Sequence, residues 1–432
     1  MNVSFHTLGC KVNQFETEAM KQLFRENNYE IIHPGKTTDV FVVNSCTVTS
    51  ASDRKTRNLI NRYRMLNPDA VVVLTGCYPQ SKRGDKEDYL SADIVIGTKK
   101  KNKIIEYLND FLKTKKQMTY VDDFQDKEYY EEMSIQQMED KTRANLKIQD
   151  GCRQFCSYCI IPYVRGPVRS RDIANVLREI KDLHANGYKE IVLNGIHITS
   201  YGKDLIETTL LDLIRSINEL ELKDIRYRLG SLEPGVINEG VLREMTKGSF
   251  CDHFHLSLQS GSDTVLKRMR RQYDTKEYLE KVNLIKKFMP EAGLTTDIIV
   301  GFPGEIEEEF KDTCDYVEKI GFQKVHVFSF SPRKGTSAYK MDQQISNKIK
   351  KARTNELISL TDRIAEETYK RQVGKIVDVI FEQEKTKGCY IGHTSSYLNA
   401  SLMTSKNYQN KRCDVVVVES KNQTLFVEEV KK

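Results

Sequence analysis

Short apolar runs alternate with stretches of helical periodicity through the N-terminal part of the chain. Residues 16–25 and 49–66 place apolar side chains three or four positions apart, which predicts two helices. Apolar runs predict buried strands at residues 3–8, 39–44, 70–74 and 93–96. Because parallel strands are covered on both faces, continuous Val and Ile runs between helices predict a parallel α/β sheet here.

The middle of the chain repeats a strand followed by a helix six times between residues 143 and 340. Strands are predicted at residues 146–149, 190–194, 226–229, 253–258, 295–300 and 324–330. Helices are predicted near residues 172–186, 208–220, 235–247, 274–288 and 305–320, with a later one at 345–372. Six units are fewer than the eight of a closed TIM barrel, so we expect an open (β/α)6 partial barrel.

The two remaining segments have different patterns. Residues 113–142 are acidic and lack periodicity, so we expect a solvated connector with a little local structure rather than a site. The last 60 residues predict five short strands separated by turns, which is typical of a small β-barrel. These strands are predicted at residues 377–381, 390–394, 397–402, 413–418 and 424–427.

Composition excludes several classes of protein. The 432 residues are 39% hydrophobic and 30% charged, as in globular proteins of two or three domains. No apolar run approaches the roughly 18 residues of a membrane span, and the first residues lack the features of a signal peptide. Ten cysteines are too few for a disulfide scaffold of this size, so we expect reduced thiols and a cytoplasmic location without membrane contact. The net charge of +6 permits a polyanionic partner but does not require one.

Three cysteines follow the first predicted strand of the partial barrel. Cys152, Cys156 and Cys159 have C-x3-C-x2-C spacing in a loop short enough to bring three sulfurs to one metal centre. Thiolates select iron–sulfur clusters, zinc or copper(I). Three ligands would leave one iron of a 4Fe-4S cluster open for a cofactor. The alternative is a zinc loop completed by a distant residue.

Three further cysteines each follow a predicted strand of the N-terminal sheet. Cys10, Cys46 and Cys77 therefore lie at the carboxyl edge of that sheet, where open parallel sheets bind ligands. The pattern alone leaves two interpretations open, a metal site and three small buried cysteines.

With Tyr158 before its third cysteine, the loop resembles the signature of the radical S-adenosylmethionine (radical SAM) family. Together with Cys10, Cys46 and Cys77, the whole chain resembles the methylthiotransferase branch of that family. The resemblance implies two 4Fe-4S clusters, one held by each cysteine group, and SAM. SAM would chelate the open iron of the barrel cluster and be split there to a 5′-deoxyadenosyl radical.

The same resemblance implies four segments of the chain. They are a flavodoxin-like N-terminal domain (1–112), an acidic linker (113–142), a radical SAM core that is a partial TIM barrel (143–372), and a TRAM domain (373–432). The TRAM domain is an OB-like barrel that binds RNA. Its aromatic side chains would stack bases or fill the barrel core, and the core alternative is favoured for most of them. These aromatic residues are Tyr390, Tyr397 and Tyr408.

Polar residues at strand ends of the partial barrel are candidates for contact with SAM or substrate, because the family uses these positions. The candidates are Tyr158, Asn194, Gly195, Arg228, Ser257 and Gln259. Ordinary turn chemistry explains Gly, Ser and Asn at such positions equally well. The arginines after the cysteine loop, Arg165, Arg169 and Arg171, would face phosphates or pair with acidic side chains.

The implied reaction replaces a C–H bond by C–S–CH3. Two stretches, Thr7–Gln14 and Asn194–Gly202, are most similar to the branch that modifies C2 of N6-threonylcarbamoyladenosine 37, next to the anticodon of tRNA. The anticodon stem-loop of tRNA and an unidentified electron donor are the expected partners. Sister branches modify N6-isopentenyladenosine in tRNA or an aspartate of a small-subunit ribosomal protein. Outside the enzymes, the alternatives are an iron–sulfur RNA-binding protein and a zinc-binding RNA module.

Overall fold

The N-terminal part is a parallel sheet covered by helices on both faces, as predicted. The computed structural model describes residues 1–84, 89, 91–135 and 142–430. The strands are β1 (Asn2–Thr7), β2 (Glu30–Ile31), β3 (Val40–Ser45), β4 (Val71–Gly76), β5 (Ile94–Ile96) and β6 (Met118–Tyr120). The helices are α1 (Lys11–Glu26), α2 (Ser50–Leu66), α3 (Cys77–Ser81) and α4 (Ile104–Thr114).

Strand order in this sheet is β2-β1-β3-β4-β5-β6, and all neighbours are parallel. The first five strands follow the flavodoxin-like order, whose switch point lies between β1 and β3. Every residue of β3 and β4 is buried, which explains their continuous apolar sequence.

The acidic segment after the sheet has more structure than its composition predicts. Strand β6 lies within it and forms the sheet edge. The Tyr130 hydroxyl donates to the Lys147 carbonyl at 2.7 Å, and Ile135 is buried. The predicted local structure is present, but Tyr130 and Ile135 pack against the protein where a solvated connector was predicted. Residues 136–141 of the segment lie outside the described residues.

The six predicted strands of the partial barrel are all present. They are β7 (Arg143–Asp150), β9 (Glu190–Gly195), β10 (Arg226–Leu229), β11 (His253–His255), β12 (Gly293–Val300) and β13 (Lys324–Ser329), with β8 (Arg169–Ser170) added to β7 as an antiparallel edge. The helices are α5 (Ile161–Arg165), α6 (Ile173–Ala185), α7 (Leu210–Asn218), α8 (Glu239–Lys247), α9 (Asp263–Met269), α10 (Thr275–Phe288) and α11 (Glu307–Ile320).

These strands form two parallel sheets, β10-β9-β7 and β11-β12-β13, that meet between β10 and β11. Isolated parallel bridges join them there, between Tyr227 and Phe250 and between Leu232 and Leu256. Among the described residues β13 does not pair with β7, so the barrel is open, as predicted.

Helix α12 (Asn347–Lys370) leads into a closed β-barrel at the C-terminus. Its strands are β14 (Ile376–Thr386), β15 (Cys389–Thr394), β16 (Asn399–Met403), β17 (Lys411–Lys421) and β18 (Thr424–Glu429). They close in the order β14-β15-β16-β18-β17, which confirms the predicted small barrel. Tyr390 is buried in its core and Tyr408 packs against that core, whereas Tyr397 lies outside it. In the described part of the chain, every helix is too short or too polar to span a membrane.

A buried ion cluster joins the N-terminal sheet to the partial barrel. Glu16 of α1 accepts hydrogen bonds from Arg165 Nη1 at 2.5 Å and Lys147 Nζ at 2.9 Å, and it also pairs with Lys101. Burial alone would raise the pKa of Glu16, but Arg165, Lys101 and Lys147 hold this pKa well below its usual value. The carboxylate is therefore ionised and binds cations from both parts of the molecule.

A second ion cluster joins the partial barrel to the C-terminal barrel. Glu190 of β9 is buried and accepts from Arg226 Nε at 2.6 Å and from Arg228 Nη2 at 2.9 Å. Arg226 also donates to Asp378 of β14 at 2.8 Å. Burial alone would raise the pKa of Glu190, but the two arginines hold it well below its usual value.

Candidate functional site

The three N-terminal cysteines lie at the carboxyl edge of the sheet. Cys10 follows β1, Cys46 follows β3 and Cys77 follows β4, so the group spans the switch point of the strand order. Gly9 has a φ of +106°, and a Cβ atom there would lie 2.8 Å from the Cβ of Cys46. Only glycine allows the chain to turn this close to the second cysteine. The strand ends thereby bring Cys10 next to Cys46.

Two cysteines of this group, Cys46 and Cys77, are buried. Burial raises the pKa of Cys77 to about 11, although Arg165 opposes the shift. Burial also raises the pKa of Cys46, whose sulfur accepts from the Val48 backbone N–H and the Ser52 hydroxyl. A bound cation is what would convert such thiols to thiolates.

An arginine of the partial barrel completes the surroundings of Cys77. Arg165 lies in α5, is fully buried, and its Nε donates to the Cys77 sulfur at 3.3 Å. Its Nη2 donates to Asn13 Oδ1 at 2.6 Å, and its Nη1 donates to Glu16. A permanent positive charge is therefore held directly against one sulfur of the group.

The barrel cysteines lie in the loop between β7 and α5. The Gln154 backbone N–H donates to the Cys152 sulfur at 3.4 Å, and the Cys159 N–H donates to the Cys156 carbonyl at 2.9 Å. Phe155 takes a left-handed φ of 49°, which bends the loop between its first two cysteines. Burial raises the pKa of Cys152 to about 11 and of Cys159 to about 12.

The barrel cysteine group also has an arginine in contact with one of its sulfurs. Arg271 Nη1 donates to the Cys156 sulfur at 3.2 Å, and its Nη2 pairs with Glu233 at 2.7 Å. Glu233 in turn lies 3.1 Å from His197 Nε2. Each cysteine group therefore has one sulfur in hydrogen-bond contact with a buried arginine that is also held by a carboxylate.

The donor sets fit iron–sulfur clusters better than single zinc ions. All ten cysteines are free, so both groups offer three thiols. The described residues contain one group of His, Cys, Asp or Glu whose ligand atoms all lie within 4.8 Å, and it includes no cysteine. A structural zinc site has four ligands close together, and each group offers three thiols. Three thiols and one arginine donor at each group suit an anionic cluster.

A cavity of about 530 Å³ lies beside Cys10. It is bounded by strand ends of the partial barrel, including Asn194, Gly195 and Arg228, and by Tyr397 of the C-terminal barrel. The structure therefore brings three of the six predicted contact residues together with one cysteine. Among the described residues that line this cavity, the other three predicted contacts, Tyr158, Ser257 and Gln259, are absent.

Those three residues have local roles. Tyr158 packs edge-on against Phe302, with ring centroids 6.5 Å apart. The Ser257 carbonyl accepts from the Tyr273 hydroxyl at 2.5 Å. Gln259 takes a left-handed φ of 73° and connects to β12 through backbone hydrogen bonds. Their contact with a cofactor stays a prediction.

Two of the predicted contact residues that line the cavity already make hydrogen bonds within the protein. The Asn194 amide donates to Asn145 Oδ1 at 2.9 Å. Arg228 donates to both oxygens of Glu190 and to the Ser395 carbonyl at 2.9 Å, which uses all three guanidinium nitrogens. Arg228 is therefore a residue of the barrel–barrel interface, and its contact with SAM or substrate stays a prediction.

A row of polar side chains on β11, β12 and β13 also lines the cavity. His255 Nε2 lies 3.3 Å from Asp297 Oδ2, and His255 Nδ1 lies 3.0 Å from the Thr295 hydroxyl. His326 completes a group whose three ligand atoms lie within 4.8 Å of one another and could hold a divalent ion. The sequence analysis overlooked this row, although polar residues two positions apart on adjacent strands share one face.

The arginines after the cysteine loop pair with acidic side chains. This was one of the two alternatives, and the other was contact with phosphates. Arg169 Nη2 lies 3.3 Å from Asp150, and Arg171 Nε lies 2.9 Å from Glu132. Arg165 pairs with Glu16 as described above. Arg165 thereby ties the segment after the cysteine loop to α1 of the N-terminal part.

Tyr397 occupies the interface between the two barrels. Its ring stacks on His253 of β11, with centroids 4.9 Å apart, and on His393 of β15 at 4.8 Å. The Arg228 guanidinium lies 4.8 Å from the ring centroid. Of the three aromatic residues considered for base stacking, this is the one placed at the cavity.

Two protein-family models match separate parts of the chain. Residues 146–317 match the model of the Radical SAM superfamily, and residues 2–97 match Uncharacterized protein family UPF0004. The chain is 37% identical to threonylcarbamoyladenosine tRNA methylthiotransferase MtaB of Bacillus subtilis (strain 168), over 97% of this chain and 94% of the relative. The protein of that name from Aquifex aeolicus (strain VF5) is 36% identical, over 89% and 93%.

A second kind of relative is similar over the same length. The tRNA-2-methylthio-N(6)-dimethylallyladenosine synthase of Clostridium tetani (strain Massachusetts / E88) is 33% identical, over 98% of this chain and 95% of the relative. Among solved structures, the radical S-adenosylmethionine methyltransferase TsrM from Kitasatospora setae superposes with a TM-score of 0.57 at 14% identity, covering 76% of this chain and 74% of that chain. At that identity the likeness concerns the fold alone.

Proposed function

This chain belongs to the radical SAM methylthiotransferase family, and we propose that it methylthiolates C2 of N6-threonylcarbamoyladenosine 37 in tRNA. As a member it is a SAM-dependent enzyme, and the family uses two 4Fe-4S clusters and SAM. The observation that carries the substrate proposal is the end-to-end similarity to threonylcarbamoyladenosine enzymes, at 37% and 36% identity. The expected setting is the cytoplasm, and the expected binding site on the RNA is the anticodon stem-loop.

Each cysteine group has its own part in this proposal. Cys152, Cys156 and Cys159 would hold the cluster that binds SAM, and the other group would hold the second cluster. That group consists of Cys10, Cys46 and Cys77. When bound, the clusters and SAM supply the hydrogen-abstracting radical, the sulfur and the methyl group.

The protein's own side chains would prepare both sites. Arg165 and Arg271 each place a positive charge and an N–H donor against a cysteine sulfur, which suits the anionic cluster that the sulfurs would hold. Glu16 and Glu233 hold these arginines in place. Cys10 is the cysteine of its group that lines the cavity, so this edge of the second site would face the substrate base.

The C-terminal barrel would guide the RNA to the cavity. It forms one wall of the cavity through Tyr397, His393 and Asn399. Ion pairs of Arg226 with Asp378 and of Arg143 with Glu382 hold it against the partial barrel, so its position relative to the cavity is defined. We therefore place the path of the anticodon loop along this wall.

A second candidate substrate is N6-dimethylallyladenosine, favoured by the 33% identity to the Clostridium tetani enzyme. Nucleoside mass spectrometry of bulk tRNA from cells with and without the gene separates the two. We expect loss of 2-methylthio-N6-threonylcarbamoyladenosine and accumulation of its precursor. Loss of the dimethylallyl counterpart instead would identify the second candidate, and unchanged tRNA would refute both.

A further inference from the structure

A lysine at the start of α1 lines the cavity beside Cys10. Lys11 opens α1 and borders both the cavity of about 530 Å³ and a neighbouring cavity of about 470 Å³. Tyr397 also borders both, so these two side chains lie where the cavities meet. Within the described parts of the chain, the Lys11 ammonium makes no hydrogen bond and no ion pair. The cavity therefore contains a cation that is free to bind an anion.

Charged side chains of both signs surround Lys11. Arg143 and Arg228 act on Lys11 electrostatically, and the Glu190 carboxylate acts in the opposite direction. The carboxylates nearest to these arginines are already bound, since Glu190 pairs with Arg228 and Glu382 pairs with Arg143 at 3.3 Å. Both carboxylates are therefore engaged by arginines rather than by the lysine.

Helix stability does not explain a lysine at this position. Lys11 is the first residue of a 16-residue helix whose first turn contains no acidic side chain. The positive end of the helix dipole disfavours a cation there. A residue that opposes local stability and faces a cavity is expected to serve binding.

Asp297 is the acidic residue among those that line the larger cavity, and its partner is a histidine rather than Lys11. It lies 3.3 Å from His255 and its ligand oxygen is within 4.8 Å of His326. The cavity thus has a cationic part at Lys11 and a histidine–aspartate part on β11 to β13. A substrate with an anionic group and a hydrogen-bonding base would match both.

We propose that Lys11 binds the carboxylate of the threonylcarbamoyl group, an inference that rests on the proposed function. The two candidate bases differ in their N6 substituent: threonylcarbamoyl ends in a carboxylate, whereas dimethylallyl is a hydrocarbon. Lys11 gains an ion pair with the first. With the second, its ammonium would lose water without gaining a partner. One side chain therefore both attracts the acidic base and rejects the apolar one.

The test uses the complete, cluster-loaded enzyme and two anticodon stem-loop RNAs. One RNA carries threonylcarbamoyladenosine with its free carboxylate, and the other carries the same base as the methyl ester. Initial rates give kcat/KM, and fluorescence anisotropy gives Kd without turnover. The enzymes compared are the wild type, Lys11→Gln, Lys11→Arg, and the control Lys113→Gln, an exposed lysine at the end of α4.

We expect the wild type and Lys113→Gln to prefer the acid over the ester by about 10- to 100-fold, the range of a hydrogen bond to a charged group. Lys11→Gln should have lower activity and affinity for the acid RNA and unchanged values for the ester RNA, so its preference for the acid is lost. Lys11→Arg should keep part of the preference. Iron content and visible absorbance should equal those of the wild type, because the ligands are unchanged.

Three results would overturn the proposal. Equal use of acid and ester by the wild type would mean that the carboxylate is not recognised. An equal fall for acid and ester in Lys11→Gln would indicate an RNA phosphate as the partner. Loss of iron in Lys11→Gln would indicate support of the neighbouring cluster. A wild-type enzyme inactive on the acid RNA would instead refute the proposed function itself.

Discussion

The guanidinium Nε of Arg165 lies 3.3 Å from the sulfur of Cys77, so a side chain of the partial barrel contacts a cysteine of the N-terminal sheet. The same arginine is held by Glu16 from α1 and by Asp150 from β7. The surroundings of the N-terminal cysteine group are therefore built from two parts of the molecule. Changes in the barrel are expected to alter the properties of the second cluster.

Arg165→Lys should lower the reduction potential of the second cluster, because hydrogen bonds to cluster sulfurs raise that potential. Lysine keeps the positive charge near Glu16 but cannot place a donor as the Nε–H does. A redox titration followed by electron paramagnetic resonance measures the potential. Arg171→Lys is the matched control, since Arg171 is also buried and bound by carboxylates, Glu132 and Glu179. Equal potentials in the two variants would contradict the assigned role of Arg165.

Glu190→Gln should destabilise the contact between the two barrels by about 3–5 kcal/mol, because it leaves Arg226 and Arg228 without their shared carboxylate. Urea unfolding of the two proteins measures the difference. Glu219→Gln, an exposed glutamate after α7, should change stability by less than about 0.5 kcal/mol.

The effect of Glu190→Gln on stability should also depend on pH. The folded-state pKa of Glu190 is lowered, so its contribution is complete above the usual glutamate value of about 4.3 and is lost as pH falls through the lowered pKa. The stability difference between wild type and Glu190→Gln should therefore shrink at acidic pH. A difference that grew on acidification would show that Glu190 is not held ionised.

The order of helices and strands followed from the sequence because apolar periodicity is a local property. Buried runs such as 40–45 and 71–76 have no solvent-facing side, so their sequence is unambiguous. Strand β6 was missed because it has three residues at a sheet edge, where neither face imposes a pattern. Its neighbour β5 provides the partner that the sequence cannot show.

The cysteines of the candidate site were predictable because each follows a strand, whereas their partners were not. The contact of Arg165 with Cys77 joins residues 88 positions apart, and that of Arg271 with Cys156 joins residues 115 apart. Asn194 and Gly195 were placed at the cavity by the rule that ligands bind at strand ends. The role of Arg228 depends on how the C-terminal barrel packs against the partial barrel, and no local sequence pattern indicates that contact.

Single cysteine substitutions should separate the two halves of the reaction. Cys152→Ala should abolish the reductive cleavage of SAM, whereas Cys10→Ala should still form 5′-deoxyadenosine and yield no methylthiolated RNA. Liquid chromatography of the SAM products and mass spectrometry of the RNA measure the two steps. Cys314→Ser, a free cysteine of α11, is the control and should retain both. Loss of SAM cleavage in Cys10→Ala would contradict the division of labour.

Asp297→Asn should reduce kcat/KM for the RNA by about 10- to 100-fold, since it removes a charged hydrogen-bond acceptor beside His255, worth roughly 1.5–3 kcal/mol. Iron content and uncoupled SAM cleavage should remain at the wild-type level. The exposed Asp342→Asn serves as the control. An unchanged kcat/KM for Asp297→Asn would exclude the histidine–aspartate row from substrate binding.

The most direct test of the central claim uses the purified, anaerobically reconstituted enzyme with SAM, a reductant and stem-loop RNAs. One RNA carries threonylcarbamoyladenosine and the other carries dimethylallyladenosine at the same position, and mass spectrometry follows both. The account predicts that the first RNA gains a methylthio group on its base and that the second does so far more slowly or not at all. Efficient modification of the dimethylallyl RNA, with the threonylcarbamoyl RNA left unchanged, would contradict it.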